Sequence, residues 1–182
     1  MAASAGGIEG LGTLLRGLDS ELPAFVLVVQ HLRRSRETRI VSVLSRRTDL
    51  KVKLAQDGDG PSPGTVYIAP PDQHLCVRTG KKLALTQEAR VNYARPAADP
   101  LFESAAEAYG SRTIACVLTG TDGDGTQGIT AVKAHGGTVI VQDPDTADFQ
   151  GMPRSAINTG LVDLVLHLED IAPAIARLVR RC

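Results

Sequence analysis

The chain has 182 residues, a length that suits one α/β domain with a sizeable core. Lysine plus arginine and aspartate plus glutamate both number 20, so no excess of positive charge recruits nucleic acid or an anionic membrane. The 3 cysteines include no C-x-x-C pair, which predicts neither a disulfide framework nor a zinc site and favours a reducing cytoplasm. No apolar run reaches the length of a membrane span and no secretory leader is evident, so we expect a cytoplasmic protein without membrane insertion.

The N-terminal segment has a serine at the start of a predicted helix. Ser4 precedes Gly6 and Gly7, and Leu11, Leu14 and the leucines around them then follow at helical spacing. A serine in this position is often only an N-cap. It also resembles a nucleophile elbow, G-x-S-x-G, in which only the second glycine is kept.

The next predicted strand covers residues 24–29, and His31 follows at its carboxyl end. A histidine there is commonly only a boundary residue. Like the acidic loop described below, however, His31 follows the carboxyl end of a predicted strand. Arg33, Arg34 and Arg36 come next. They fit either a solvated helix face or a surface that binds an acidic partner.

Residues 50–87 alternate short apolar runs with glycine and proline turns, which predicts an antiparallel β-hairpin around residues 79–82. His74 lies beside a Pro-Pro turn, so we expect a structural role for it. Residues 90–99 have the composition of a polar loop, and Pro100 is predicted to be the first residue of the following helix.

The most informative stretch covers residues 112–128. An apolar run at 113–118 predicts a strand buried on both faces, and the loop after it carries Asp122 and Asp124. Open α/β sheets place their sites at such strand ends, although acids that merely cap a helix are also common. Residues 123–128 fit G-x-G-x-x-G, and Asp143 follows at the distance of a dinucleotide fingerprint. A pyrophosphate would, however, lie against two carboxylates without a basic residue in the loop.

Strands alternate with helices to the end of the chain, with further strands predicted at 138–141 and 161–166 and a terminal helix at 169–181. This pattern predicts a single-domain α/β fold over residues 1–182, with a mostly parallel doubly wound sheet, helices on both faces and the β-hairpin at one edge. The carboxyl ends of parallel strands share one edge. Ser4, His31 and Asp124 are therefore expected together, and these residue types form acyl-transfer triads.

Six segments, spread over nearly the whole chain, closely resemble the catalytic domain of the CheB family of chemotaxis protein-glutamate methylesterases. They are Ser-Ala-Gly-Gly at 4–7, Val-Val-Gln-His at 28–31, Tyr-Ile-Ala-Pro-Pro at 67–71, Asp-Pro-Leu-Phe at 99–102, Leu-Thr-Gly-x-x-x-Asp-Gly at 118–125 and Gly-Met-Pro-Arg-x-Ala-Ile at 151–157. The resemblance implies that Ser4 is the nucleophile, His31 the base and Asp124 the acid that orients it. It also implies that the amides of Ala5 and Thr121 form the oxyanion hole. Asp122 stands where the family often has glycine.

The function implied by this resemblance is demethylation of glutamate γ-methyl esters on methyl-accepting chemotaxis receptors, together with deamidation of receptor glutamines. No cofactor, metal or nucleic acid is expected to take part, and Arg33, Arg34 and Arg36 are predicted to dock on acidic receptor helices. Two alternatives stay open, namely a triad enzyme for another ester or amide and a partner-binding domain that has lost turnover.

Two departures from the family bear on this prediction. The strand before the serine is reduced to residues 1–3, which predicts unpaired backbone groups beside it and a poorly held elbow. The chain also has no room for the receiver domain that precedes the catalytic domain in the regulated members of the family.

Overall fold

The computed structural model describes residues 1–31 and 38–180. Its strands in chain order are β1 (Ala2–Ala3), β2 (Val26–Gln30), β3 (Lys51–Leu54), β4 (Thr65–Ile68), β5 (His74–Arg78), β6 (Lys82–Thr86), β7 (Ile114–Val117), β8 (Thr138–Gln142) and β9 (Leu164–Leu166). The helices are α1 (Gly7–Arg16), α2 (Ile40–Leu44), α3 (Ala98–Tyr109), α4 (Thr126–Ala134), α5 (Gly151–Asn158) and α6 (Leu168–Val179).

Seven of these strands form one sheet in the order β3-β4-β2-β1-β7-β8-β9, and every neighbouring pair in it is parallel. The strands read as apolar runs because both of their faces are covered. Along β2, Val26 and Val28 face the core formed with α1, α2 and α6, whereas Leu27 and Val29 face the core formed with α3, α4 and α5. The predicted doubly wound α/β fold is confirmed.

The predicted β-hairpin is also present, as the antiparallel pair β5 and β6. It forms a two-stranded sheet of its own and packs on α3, where the amide of Val77 donates to Ser104 Oγ over 3.0 Å. The buried face of the hairpin, which includes Leu75 and Leu83, is part of the core on the α3 side of the main sheet. The hairpin therefore extends the core beside α3, and it is a separate sheet rather than an addition to an edge of the main one.

Strand β1 is only 2 residues long, yet it lies at the centre of the sheet and pairs with β2 on one side and β7 on the other. The backbone bonds continue up to Ser4, because its amide donates to the Thr119 carbonyl over 3.0 Å and the amide of His31 donates to the Ala3 carbonyl over 3.1 Å. The segments after β2 and β7 thus hold the elbow from both sides, and the prediction of a poorly held elbow was wrong.

The order of the strands fixes the location of the site. From β1 the chain builds β2, β4 and β3 to one side and β7, β8 and β9 to the other, so the loops after the three central strands meet where the direction changes. Ligands of open α/β sheets bind at such switch points. Within the described ranges, no helix has the length and apolar character needed to cross a membrane.

Candidate active site

The loops after β1, β2 and β7 bring the three predicted residues into contact. Ser4 Oγ lies 3.1 Å from His31 Nδ1, and His31 Nε2 lies 2.8 Å from Asp124 Oδ2. The Asp124 side chain has no exposed surface, and that of His31 is 15% exposed. A buried acid thus holds one ring nitrogen while the other faces a hydroxyl near the surface.

The carboxylate of Asp124 is fixed by the first turn of α3. Its Oδ2 accepts the amide of Ala98 over 2.6 Å, and its Oδ1 accepts the amide of Asp99 and Nδ2 of Asn92, both over 3.4 Å. Unpaired amides and the positive end of the dipole at a helix N-terminus favour a negative charge. These donors hold the Asp124 carboxylate in place and aimed at His31. They also explain why α3 begins at Ala98, two residues before the predicted first helical residue, Pro100.

This arrangement decides which tautomer of His31 is useful. Because Asp124 can only accept, Nε2 carries the proton that is donated to it, which leaves the lone pair of the neutral ring at Nδ1, facing Ser4. The two ring nitrogens have exchanged the roles that they have in the chymotrypsin arrangement. In both arrangements one ring nitrogen is anchored by the acid and the lone pair of the other faces the serine hydroxyl.

A second carboxylate approaches the same ring. Asp122 Oδ2 lies 3.3 Å from His31 Nδ1, while Asp122 Oδ1 accepts the amide of Asp124 over 3.1 Å. Burial acts to lower the pKa of His31, but the hydrogen bonds and charges of Asp122 and Asp124 outweigh it and raise the pKa to about 9. The hydrogen bond to His31 in turn lowers the pKa of Asp122.

Gln30 is a positioning residue that the sequence analysis missed. It ends β2, is almost fully buried, and its Nε2 donates to the carbonyl of Ser4 over 2.7 Å and to that of His31 over 3.2 Å. The amide group therefore ties the two loops together at their backbones. The available signal was a glutamine at the end of an otherwise apolar strand, where a polar side chain needs a buried partner.

The amides of Ala5 and Thr121, which the resemblance assigns to the oxyanion hole, donate to no backbone acceptor within residues 1–31 and 38–180. The turn around Gly6 is left-handed, with φ of 74°, and leads into α1. Gly120, next to Thr121, is so close that an added Cβ would lie 3.0 Å from Ser4 Cβ. Donors of this kind are what an oxyanion hole requires.

Asn92 and Asp99, also unexpected, connect the loop of Asp124 to α3 and α4. Asn92 Nδ2 donates to Asp99 Oδ2 over 3.1 Å, and Asp99 Oδ1 accepts the amide of Gly128 over 2.8 Å. Burial raises the pKa of Asp99. Because the Gly128 amide is used in this way and two carboxylates occupy the loop, the dinucleotide interpretation finds no support in the geometry.

His74 lies outside the Ser-His-Asp cluster and is held by backbone groups. His74 is buried, with Nε2 3.0 Å from the carbonyl of Ala89 and Nδ1 accepting the amide of Ala97 over 3.2 Å, which fits the predicted structural role. Arg33, Arg34 and Arg36 lie outside the described residues.

We expect Gly7→Ala to damage the site although residue 7 carries no reacting group. An added Cβ would overlap Gln30 Oε1 and lie 2.6 Å from Ala3 Cβ, both parts of the frame that holds Ser4. Overpacking of this kind costs about 1–3 kcal/mol of folding free energy. Thermal unfolding should show that loss together with reduced ester hydrolysis. Gly10→Ala is the matched control in the same helix, because its nearest neighbour would lie 3.8 Å away. Equal effects of the two substitutions would contradict this explanation.

The fold and the site define a class of protein, namely an α/β protein with a doubly wound parallel sheet and a Ser-His-Asp cluster at the carboxyl edge of that sheet. The family model described as CheB methylesterase matches residues 1–175, and the chain belongs to this family.

Individual proteins of known sequence or structure are similar to this chain over nearly all of its length. A protein from Leptospira interrogans is 39% identical over 178 residues, which are 98% of this chain and 92% of that protein. The protein-glutamate methylesterase/protein-glutamine glutaminase of group 3 operon from Rhizobium meliloti is 39% identical over 99% of this chain and 51% of its own length. The crystal structure of the Thermotoga maritima CheB methylesterase catalytic domain superimposes with a TM-score of 0.93 at 39% identity, covering 97% of this chain and 95% of that one.

Proposed function

We propose that the chain is a serine hydrolase that removes methyl groups from glutamate γ-methyl esters of chemotaxis receptors. The observation that carries the proposal is the line from Ser4 Oγ through the His31 ring to Asp124, with contacts of 3.1 Å and 2.8 Å, in a chain of the CheB methylesterase family. The names of relatives, such as the protein-glutamate methylesterase/protein-glutamine glutaminase of Thermotoga maritima, support this substrate class.

In the first half of the reaction, neutral His31 accepts the Ser4 proton at Nδ1 while Ser4 Oγ attacks the ester carbonyl carbon. The ring then carries a positive charge, which the buried carboxylate of Asp124 stabilises at Nε2. As the tetrahedral intermediate collapses, the bond to the methoxy oxygen breaks. The Nδ1 proton passes to that oxygen, methanol leaves, and an acyl-enzyme on Ser4 remains.

The negative charge of the intermediate needs donors that are already in place. The amides of Ala5 and Thr121 are the proposed pair. Ala5 follows Ser4 in the chain, Thr121 follows Gly120, which lies against Ser4, and neither amide donates to a backbone acceptor within the described chain. A single donor of this type contributes roughly 2.7–4 kcal/mol to lowering the barrier. Gly120 lets the loop that carries Thr121 come close to Ser4, since a Cβ added to it would lie 3.0 Å from Ser4 Cβ.

Deacylation repeats the same steps with water as the nucleophile. His31 takes a proton from the water, the hydroxyl attacks the acyl carbon, and the proton returns to Ser4 as free glutamate is released. A glutamine side chain presents the same carbonyl with ammonia as the leaving group. We therefore include deamidation of receptor glutamines in the proposal.

The direct test measures methanol release from a methyl-labelled chemotaxis receptor by the full chain, with the Ser4→Ala chain assayed alongside. We expect release by the wild type only. Hydrolysis of small esters without any methanol from the receptor would favour a triad enzyme of another specificity. If the wild type binds methylated receptor but releases nothing from either substrate, the chain is a binding domain and the proposal fails.

We further propose that Arg33, Arg34 and Arg36 dock the chain on acidic receptor helices. The support is their position directly after His31 in the sequence and their like charge. Reversing all three to glutamate should raise KM for receptor severalfold and weaken its salt dependence while small-ester turnover stays unchanged. Reversal of Arg177 and Arg180 near the other end of the chain is the matched control. An unchanged KM and salt dependence would exclude the docking role.

A further inference from the structure

Asp122 also contacts His31, although it is not part of the Ser4-His31-Asp124 cluster. Unlike Asp124, it contacts the ring nitrogen that faces Ser4. Asp124 is fully buried and meets only Nε2, whereas Asp122 is 36% exposed and meets Nδ1, the nitrogen that Ser4 also needs. Its other oxygen is anchored on the amide of Asp124 over 3.1 Å. Two groups, the Ser4 hydroxyl and the Asp122 carboxylate, thus compete for one ring nitrogen.

Which of the two groups binds Nδ1 depends on whether that nitrogen carries a proton. When His31 is protonated, Nδ1 is a donor and a carboxylate is a better acceptor than a hydroxyl, so the ring is held by two acids and has no lone pair for Ser4. When Nδ1 loses its proton, its lone pair accepts from Ser4, and the Asp122 oxygen 3.3 Å away becomes a repulsive neighbour. Its partial exposure allows it to turn towards solvent.

We infer that Asp122 is a positioning residue that sets the pH range of turnover, by binding the protonated ring at the nitrogen that must be free to activate Ser4. This inference rests on the proposed function of the site. Among the described residues, the ionisable groups that face His31 are Asp122 and Asp124 from the loop after β7, with Asp99 of α3 one contact further away. Arg33, Arg34, Arg36 and Glu37, which follow His31 in the chain, lie outside the described residues.

The direction of the pH effect follows from the sign of the shift. A base with its pKa raised to about 9 is neutral in roughly one molecule in a hundred at pH 7. Turnover should therefore rise with pH up to about 9. Removing the Asp122 charge stabilises the protonated ring less, so the rising limb moves to lower pH. The same change makes His31 a weaker base, which lowers the plateau at high pH.

The experiment compares wild type, Asp122→Asn and Asp122→Gly by two independent measurements. Asparagine keeps the oxygen that accepts the Asp124 amide, so it separates charge from structure. Titration of the His31 ring followed by NMR, without substrate, should show a midpoint lowered by about one to two pH units in both variants. The pH–rate profiles of the variants and the wild type for small-ester turnover should then cross. Both variants should be about threefold to tenfold faster than wild type at pH 7 and slower by a similar factor on the alkaline plateau.

Asp145→Asn, which removes an exposed carboxylate from the loop after β8, is the control for a general change of charge and should leave midpoint and profile unchanged. An unchanged His31 midpoint in Asp122→Asn would overturn the inference, and so would a lowered midpoint with a pH–rate profile like that of the wild type. Absence of ester and receptor turnover at every pH in the wild type would instead refute the proposed function, while the NMR titration still decides whether Asp122 holds the protonated ring.

Discussion

Replacing Ser4 with alanine is expected to lower kcat/KM for demethylation by a factor of about 10⁴ to 10⁶, the largest loss available from one substitution in this chain. The substitution removes the hydroxyl oxygen that lies 3.1 Å from His31 Nδ1 and is the proposed nucleophile. The backbone frame should survive, because the amide and carbonyl of Ser4 are held by Thr119 and Gln30 and its hydroxyl contributes to neither bond. Thermal unfolding should accordingly be close to that of the wild type.

Ser155→Ala is the matched control for the loss of Ser4. Ser155 belongs to α5, and its Oγ lies 3.5 Å from the position of a Cβ added to Gly123, so it is a hydroxyl beside the acidic loop that does not touch His31. We expect nearly normal turnover in this variant. Loss of activity in Ser155→Ala comparable to that in Ser4→Ala, with both proteins folded, would contradict the assignment of the nucleophile.

Asp124→Asn is expected to reduce kcat by about 10⁴-fold. Asp124 accepts at both oxygens, from His31 Nε2 and the Ala98 amide at one and from Asn92 and the Asp99 amide at the other. An asparagine must place its NH₂ group against one of these pairs of donors. If the NH₂ group meets His31, the ring takes the wrong tautomer, and the lone pair no longer faces Ser4. If it faces Asn92 and Asp99, the first turn of α3 loses its acceptor.

Stability and catalysis can be separated with Asp99→Asn. Asp99 shares Asn92 with Asp124 and holds the Gly128 amide, but it does not touch His31. We expect Asp99→Asn to lower the free energy of unfolding, with a much smaller effect on kcat than that of Asp124→Asn. Equal losses of kcat in the two variants would mean that the acidic cluster acts through folding alone and would contradict an orienting role for Asp124.

The general arrangement was predictable because it depends on periodicity. Apolar runs separated by helical patterns indicate a parallel sheet, and in such a sheet the carboxyl ends of β1, β2 and β7 share one edge. This was sufficient to expect Ser4, His31 and Asp124 in one place. Their roles came from the resemblance to the CheB family, because spacing alone allowed a capping serine and a boundary histidine as well.

The finer contacts were not predictable because they depend on side chains from distant loops. Nothing in the sequence indicates that His31 presents Nδ1 to Ser4, or that Asp122 reaches the same nitrogen. Asn92 acts from a tight turn in which it has a φ of 50°, and single-residue conformations of this kind leave no periodic trace. The start of α3 was misplaced for a related reason, since an acid 26 residues away accepts the amide of Ala98.

The measurement that tests the central claim most directly is identification by mass spectrometry of the residue that becomes covalently modified. The wild type would be treated with a fluorophosphonate that reacts with activated serines, and the labelled peptide would be sequenced. We predict one modification, at Ser4, which forms with the pH dependence of His31 deprotonation and is absent from Ser4→Ala and strongly slowed in Asp124→Asn. Labelling at another residue, or unchanged labelling of Ser4→Ala, would show that Ser4 is not the nucleophile.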